Sequence, residues 1–320
     1  MKLVSVVVPC YNEQEVLPMF YEEITKVADE MKEEHPELEF EYLFINDGSK
    51  DRTLEIFREL AKKDKRVRYI SFSRNFGKES GIYAGLKNSK GDYVVVMDAD
   101  LQHPPAFLPE MYNYVKDGEY DCATTRRVSR TGESKIRSFF ARLFYKIMNK
   151  ISDTEIVDGA QDFRFMTRQM VDAILEMSEC NRFSKGIFSW VGFKVKYMPY
   201  ENVERLAGTT SWSFWGLFKY SLEGIMAFST FPLAVAIFLG ILSLMLSMII
   251  LIAGIFVSAV SNIKYRWFIS VASTFATSGV QLCCTGILGQ YMGKMYREVK
   301  KRPIYIAGET DEDFRSKIGE

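Results

Sequence analysis

The sequence predicts an α/β catalytic head built on a mostly parallel sheet, followed by two transmembrane helices. Two observations carry this. Over the first hundred residues short apolar runs alternate with amphipathic stretches, and towards the C-terminus two long stretches hold no charged side chain. The alternation indicates strands joined by helices that cover both faces of a sheet. Crossing a hydrocarbon core takes ~20 apolar residues, and each uncharged stretch is long enough.

The elements follow in order. Residues 3–8 are a buried strand; the run is too short for a signal peptide and stops at Pro9, with Asn12 and Glu13 beyond. Helix is expected over 15–33, strand over 42–45, helix over 53–62, strand over 67–72, helix over 78–88 and strand over 93–97. Sheets of this kind bind ligands at the carboxyl ends of their strands. Polar clusters stand at those ends.

Residues 134–150 (SKIRSFFARLFYKIMNK) set Phe139, Phe140, Leu143, Phe144 and Ile147 at helical spacing among basic side chains. A basic amphipathic helix on an anionic membrane surface is one reading; a core-packing helix with a solvated basic face is the other. Residues 212–226 read the same way, with Trp212 and Trp215 suited to the interface. The uncharged stretches cover residues 228–260 and about 267–292, and the connection between them holds only Lys264 and Arg266. Beyond the second come Lys294, Arg297, Lys300, Lys301 and Arg302. Basic residues stay in the cytoplasm, so a two-span hairpin leaves both head and C-terminus there. The expected division is a head over 1–211, an interfacial helix over 212–226, a hairpin over 227–293 and a basic cytoplasmic tail over 294–320. Gly286, Gly289 and Gly293 allow close helix approach, either within the hairpin or between copies in a homo-oligomer.

Composition excludes some classes. Lys+Arg and Asp+Glu both count 41, so the chain lacks the basic excess of a general nucleic-acid binder. The 5 cysteines have no metal-ligand spacing and read as free thiols of a reducing compartment.

Three clusters carry chemistry. Pro9-Cys10-Tyr11-Asn12-Glu13 follows the first strand; no GxGxxG stands there and no GxxxxGK[ST] occurs anywhere, which removes ordinary dinucleotide and P-loop readings. Asn46-Asp47-Gly48-Ser49 follows the second. Ser49 and Asp51 suit a helix cap, while Asp47, before the turn, is better placed to reach a ligand. Asp98-Ala99-Asp100-Leu101-Gln102 ends the fourth. In extended chain, residues two apart point the same way, so Asp98, Asp100 and Gln102 are expected to converge as a hard-oxygen site for Mg²⁺ or Mn²⁺.

VVPCYNE, INDGSKDRT, SRNFGKESGIYAGL, DADLQHPP, GAQDFRFMTR and RLAGTTSW follow one another in this chain as in the family-2 glycosyltransferases of GT-A fold. With the tail GILGQYMGKMYREVKKRP, the chain resembles their polyprenyl-phosphate branch, like the bactoprenol glucosyltransferases and dolichyl-phosphate mannose synthase. The resemblance implies inverting transfer of a hexose to undecaprenyl phosphate, with glucose from UDP-glucose the choice and mannose, galactose, N-acetylglucosamine or an aminoarabinose derivative left open. The product would be a polyprenyl-monophosphate-linked sugar for cell-envelope glycan modification. The enzyme would act at the inner membrane, with a nucleotide sugar, a lipid phosphate and the bilayer as partners.

It also implies that Pro9, Tyr11, Glu13 and Asp47 hold the nucleoside, and that Asp98 contacts the nucleoside or metal region. Asp100 and Gln102 match metal ligands on the diphosphate. Lys78 falls among substrate-binding residues, Arg126, Arg137 and Arg205 gather phosphates, and Asp162 stands near the reacting centre as a base or a positioning group. Two positions depart from the pattern, Ser211 where a lysine is usual and Gln161 where a glycine is usual. A processive polysaccharide synthase and a non-catalytic nucleotide-sugar-binding scaffold are the competing classes. The first needs a QxxRW-type motif and a larger membrane domain; the complete acidic cluster disfavours the second.

Overall fold

A computed structural model describes residues 1–127, 146, 149–150, 157–200, 225–226, 229, 231–260 and 266–318. The proposed surface helix over 134–150 lies almost wholly outside these residues. So do Arg137, Arg205, Ser211 and nearly all of the 212–226 segment.

The head opens with β1 (Lys2–Cys10), α1 (Leu17–Glu34), β2 (Leu38–Asn46), α2 (Thr53–Lys63), β3 (Val67–Phe72), α3 (Lys78–Asn88) and β4 (Tyr93–Val96). The alternation expected from the sequence is present, with β1 and β2 longer than their apolar runs. A single 3-10 turn (Pro105–Phe107) leads into α4 (Leu108–Lys116), β5 (Cys122–Arg127), β6 (Ala160–Thr167), α5 (Arg168–Glu176), α6 (Ser184–Trp190) and β7 (Val195–Tyr200).

The strands form one sheet in the order β7-β5-β6-β4-β1-β2-β3, with β8 (Ala307–Thr310) outside β3. β1 to β4 are mutually parallel, β6 runs antiparallel between β4 and β5, and β8 is antiparallel to β3. One face packs Phe20 of α1, Phe57 of α2 and Met111 of α4 against Phe44, Tyr69 and Phe165. The other packs Ile82 of α3, Met170 of α5 and Ile187 of α6 against Val7, Leu43 and Val96. With helices on both faces the parallel strands are buried on both sides, which explains their continuous apolar runs. Gly85 lets α3 settle on β1: a Cβ there would stand 2.0 Å from a methyl of Val7.

After the head come α7 (Phe231–Val260) and α8 (Arg266–Val299), which run antiparallel; the Cys284 thiol meets the Ala236 carbonyl, and the Tyr291 hydroxyl donates to the Ser229 carbonyl. Among the described residues one helix, over Phe231–Gly254, is long and apolar enough to cross a membrane. A second such span, expected within α8, is not confirmed. Its centre mixes Ser270, Ser273, Thr274, Thr277 and Gln281 with the apolar residues and dilutes the signal. Gly286, Gly289 and Gly293 have no neighbour within 4 Å of where a Cβ would sit, so α7 does not pack on them.

The expected basic tail over 294–320 contains regular structure. The chain returns to the head, where Tyr305 stacks on Phe72, β8 extends the sheet, and α9 (Asp311–Ile318) lays Phe314 beside Tyr69. Arg58 and Glu309 form a two-bond pair at 2.8 and 2.6 Å, and the Tyr69 hydroxyl donates to the same carboxylate at 2.7 Å. Four residues of strand gave no periodic signal because their partner edge lies far away in sequence.

Candidate active site

Sheet register assembles the site. β4 and β6 pair antiparallel up to Val96 opposite Arg164. Two residues further along that register come Asp98 and Asp162. Two carboxylates facing each other would repel, and the Lys78 ammonium lies between them, 2.8 Å from an oxygen of each. Lys78 is the first residue of α3, after Gly77 at φ 95. A cation at a helix N-terminus opposes the helix dipole, so the two carboxylates account for its place there. Burial raises the Asp162 carboxyl, but Lys78, then Lys185 and Arg164, more than offset this and hold it below the usual carboxylate range. The Lys78 ammonium is raised: burial lowers it, and Asp162 and Asp98 outweigh that. At neutral pH Asp162 and Lys78 are both ionised.

The acidic cluster after β4 departs from the expected geometry. The strand ends at Val96, Asp100 lies in a turn, and Leu101 takes φ 55. Alternation along an extended chain therefore does not aim Asp98, Asp100 and Gln102 at one point. Within that turn the Gln102 backbone N–H donates to the Asp100 carboxylate at 3.1 Å. Aromatic rings back the turn. The His103 ring stacks on Phe163 at 5.8 Å, and the Tyr200 hydroxyl donates to the Gln102 carbonyl. Burial lowers the His103 pKa, so this imidazole, with its buried Nδ1 unpaired, is neutral.

Among the described residues no group of three or more His, Cys, Asp or Glu side chains could hold a metal alone. Mg²⁺ or Mn²⁺ completed by water and phosphate oxygens needs only one or two protein carboxylates. The donors are hard oxygens, as these ions require.

Asp47 was expected to reach a ligand, yet only 4% of it is exposed. Its carboxylate accepts the backbone N–H groups of Phe76 at 2.6 Å and Gly77 at 2.9 Å. Burial raises its pKa, and those two donors pull it back. Asp47 therefore fixes the loop from which Lys78 emerges. Gly48, at φ 65, admits the close approach: a Cβ there would stand 2.5 Å from the Arg74 backbone.

Pro9 is the penultimate residue of β1, and Tyr11 beyond it is 44% exposed, facing solvent beside the strand ends. The loop is held from β2's side: the Ser49 hydroxyl accepts the Asn12 N–H, Thr53 accepts that of Glu13 and Asp51 accepts that of Gln14. Asp51 also accepts the Thr53 N–H at the start of α2, while the helix's N-cap is Arg52 and makes no side-chain cap bond. Arg126, exposed at the end of β5, donates to the Asp158 carbonyl at 3.1 Å.

Sequence reasoning missed Glu79, His103, Arg164, Lys185 and Tyr200. Arg164 is 2% exposed, its guanidinium 4.4 Å from the Phe188 ring. These positions gain meaning only through contacts with distant strands and helices, so no local spacing marks them.

The arrangement sets Asp98 and Asp162 about the Lys78 ammonium at the strand ends, Asp162 held ionised, with the Asp100 turn beside them. Residues 5–175 match the family model described as glycosyl transferase family 2. CsbB of Bacillus subtilis (strain 168) is 43% identical over 310 residues, spanning 97% of this chain and 92% of that one. The prophage bactoprenol glucosyl transferase homolog of Escherichia coli (strain K12) is 40% identical over 304 residues, spanning 95% and 97%. The bactoprenol glucosyl transferase of Shigella phage SfV is 40% identical over 304 residues, with the same shares. The crystal structure of glucosyl-3-phosphoglycerate synthase from Mycobacterium tuberculosis in complex with Mn²⁺, UDP-glucose and phosphoglyceric acid superposes with TM-score 0.46 at 19% identity. That superposition covers 70% of this chain and 78% of the other.

Proposed function

We propose that this glycosyltransferase, which belongs to glycosyl transferase family 2, transfers glucose from UDP-glucose to undecaprenyl phosphate with inversion at the anomeric carbon. The main support is the near full-length identity to bactoprenol glucosyl transferases. The apolar helix over Phe231–Gly254, which suits an enzyme whose acceptor stays in a bilayer, adds to it.

The acceptor's phosphate oxygen is already anionic at neutral pH, so it attacks without a strong general base. Asp162, kept ionised by Lys78, orients the acceptor or steadies positive charge that develops on the sugar ring. The anionic leaving group needs electrostatic stabilisation and no proton. Asp100 and Gln102, with Asp98 beside them, would hold Mg²⁺ or Mn²⁺, which would neutralise the diphosphate's charge as it leaves. Pro9, Tyr11 and Glu13 border the nucleoside, and Asp47 acts behind them by holding the 76–77 turn. Arg126, Arg137 and Arg205 receive phosphate groups.

The membrane unit is a two-helix hairpin with head and C-terminus on the cytoplasmic side. In support, the tail after α8 pairs with the head's β3. The hydroxyls of Thr274, Thr277 and Thr285 bond carbonyls of their own helix, which lowers the cost of placing them in lipid. A polysaccharide synthase is disfavoured by the absence of a QxxRW motif.

The test incubates the chain with undecaprenyl phosphate and a panel of labelled UDP- and GDP-sugars, followed by solvent extraction. Label from UDP-glucose in the lipid phase is expected. A stronger signal from another sugar would reassign the donor, and an insoluble polymer would reassign the reaction.

A further inference from the structure

We infer that Lys185 is a phosphate-binding residue of the reacting centre, its ammonium taking an anionic phosphate oxygen beside Asp162. The inference rests on the proposed transfer and adds a residue to it.

Lys185 is the second residue of α6, and α6 is pinned at both ends around Asp162. At its start, the Ser184 N–H donates to the Glu79 carboxylate at 2.9 Å and the Ser184 hydroxyl donates to the same oxygen. Glu79 follows Lys78, whose ammonium is 2.8 Å from Asp162. Further along, the Phe188 ring lies 4.4 Å from the guanidinium of Arg164, two residues beyond Asp162 on β6. The helix therefore carries Lys185 to the carboxylate's side, and its charge is one of those that hold Asp162 ionised.

Lys78 is already engaged with two carboxylates. Lys185, half-buried, makes no hydrogen bond or ion pair among the described residues. A half-buried ammonium on the helix beside the reacting centre, with no partner of its own among the described residues, is matched when a substrate brings a phosphate to it. Lysine binds phosphate as a point charge that tolerates an oxygen moving during reaction. The loop before α6 is tied to the base of α8, because the Glu298 carboxylate accepts the N–H groups of Cys180 at 2.9 Å and Asn181 at 3.3 Å. The segment bearing Lys185 is thus held at the end of α8 from which the tail returns to the head. A phosphate of the lipid acceptor and the donor's diphosphate share the chemistry; the experiment separates them.

The full chain in detergent micelles is titrated with UDP–Mg²⁺ and, separately, with undecaprenyl phosphate, with undecaprenol as the phosphate-free control. Lys185→Met should weaken one of the two phosphates about tenfold, the size of a lost charge-assisted contact. Undecaprenol binding and the thermal midpoint should stay as in wild type, and Lys185→Arg should recover most of the affinity. Loss confined to undecaprenyl phosphate assigns the acceptor, and loss confined to UDP assigns the donor. Lys185→Gln repeats the measurement should methionine disturb folding. Wild-type affinity for both phosphates in the neutral variants would overturn the inference. These readouts need no sugar transfer. Wild-type chain that binds both phosphates yet makes no glycolipid would defeat the proposed reaction and leave this test standing.

Discussion

The Lys78 ammonium joins Asp162 to Asp98, 2.8 Å from each, across two strands whose register sets the carboxylates opposite one another. Removing the cation leaves like charges facing. The Lys78 side chain is 44% exposed, so water screens part of the effect. Lys78→Met should cost about 1–2 kcal/mol, below the 3–5 of a fully buried broken pair.

The same bridge fixes a pH dependence. The folded Asp162 carboxyl lies below its unfolded value, so its contribution is present above the unfolded pKa of ~3.9. It is lost as pH falls through the folded value. In Lys78→Met the folded value rises towards the unfolded one, so acidification should cost the variant less stability than wild type, and the gap between the two should narrow as pH falls. Denaturant melts across acidic pH read this; superimposable profiles would remove the bridge from the account.

Asp162→Asn keeps shape and removes the charge. Turnover should drop by about two to four orders of magnitude, the range for a group that acts directly on the reacting atoms. Donor affinity by calorimetry should stay near wild type. Lost donor binding would move Asp162 to the nucleotide side of the site.

Chelation with EDTA should abolish transfer, and Mg²⁺ or Mn²⁺ should restore it. Asp100→Asn should lower turnover by orders of magnitude with an unchanged melting temperature, because asparagine keeps an oxygen that can accept the Gln102 backbone N–H. Full activity in excess chelator would remove the metal from the reaction.

Much of the fold was legible because buried parallel strands are continuous apolar runs. Residues 67–72 and 78–88 match β3 and α3 end for end. The rest depended on partners distant in sequence. β6 hides a buried Arg164 within AQDFRFMT, and β8 reads as a loop until β3 offers it an edge. In the site, the end of the fourth strand located Asp98 and Asp100 and the family resemblance pointed to Asp162, but periodicity could not reveal the turn after Val96. Asp47 looked like a ligand contact because a carboxylate before a tight turn is often exposed. Its partners, the backbone amides of Phe76 and Gly77, belong to the next loop and have no side-chain signature.

The returning tail should matter for stability. Glu309→Ala removes a two-bond pair with Arg58 and the acceptor of the Tyr69 hydroxyl. The expected cost is about 1–2 kcal/mol by denaturant melts. Deleting residues 307–320 uncovers the β3 edge and should promote aggregation, seen by light scattering. A truncated chain as stable and monodisperse as the full one would show the tail to be incidental.

The central claim is transfer of one hexose onto a lipid monophosphate. Purified chain, UDP-glucose, Mg²⁺ and undecaprenyl phosphate are combined, and the lipid product is analysed by mass spectrometry and for anomeric configuration. The account predicts undecaprenyl monophosphate bearing a single hexose in the β configuration, with UDP released in equal amount. A hexose chain, a retained α configuration, or UDP release without any lipid-linked sugar would contradict it.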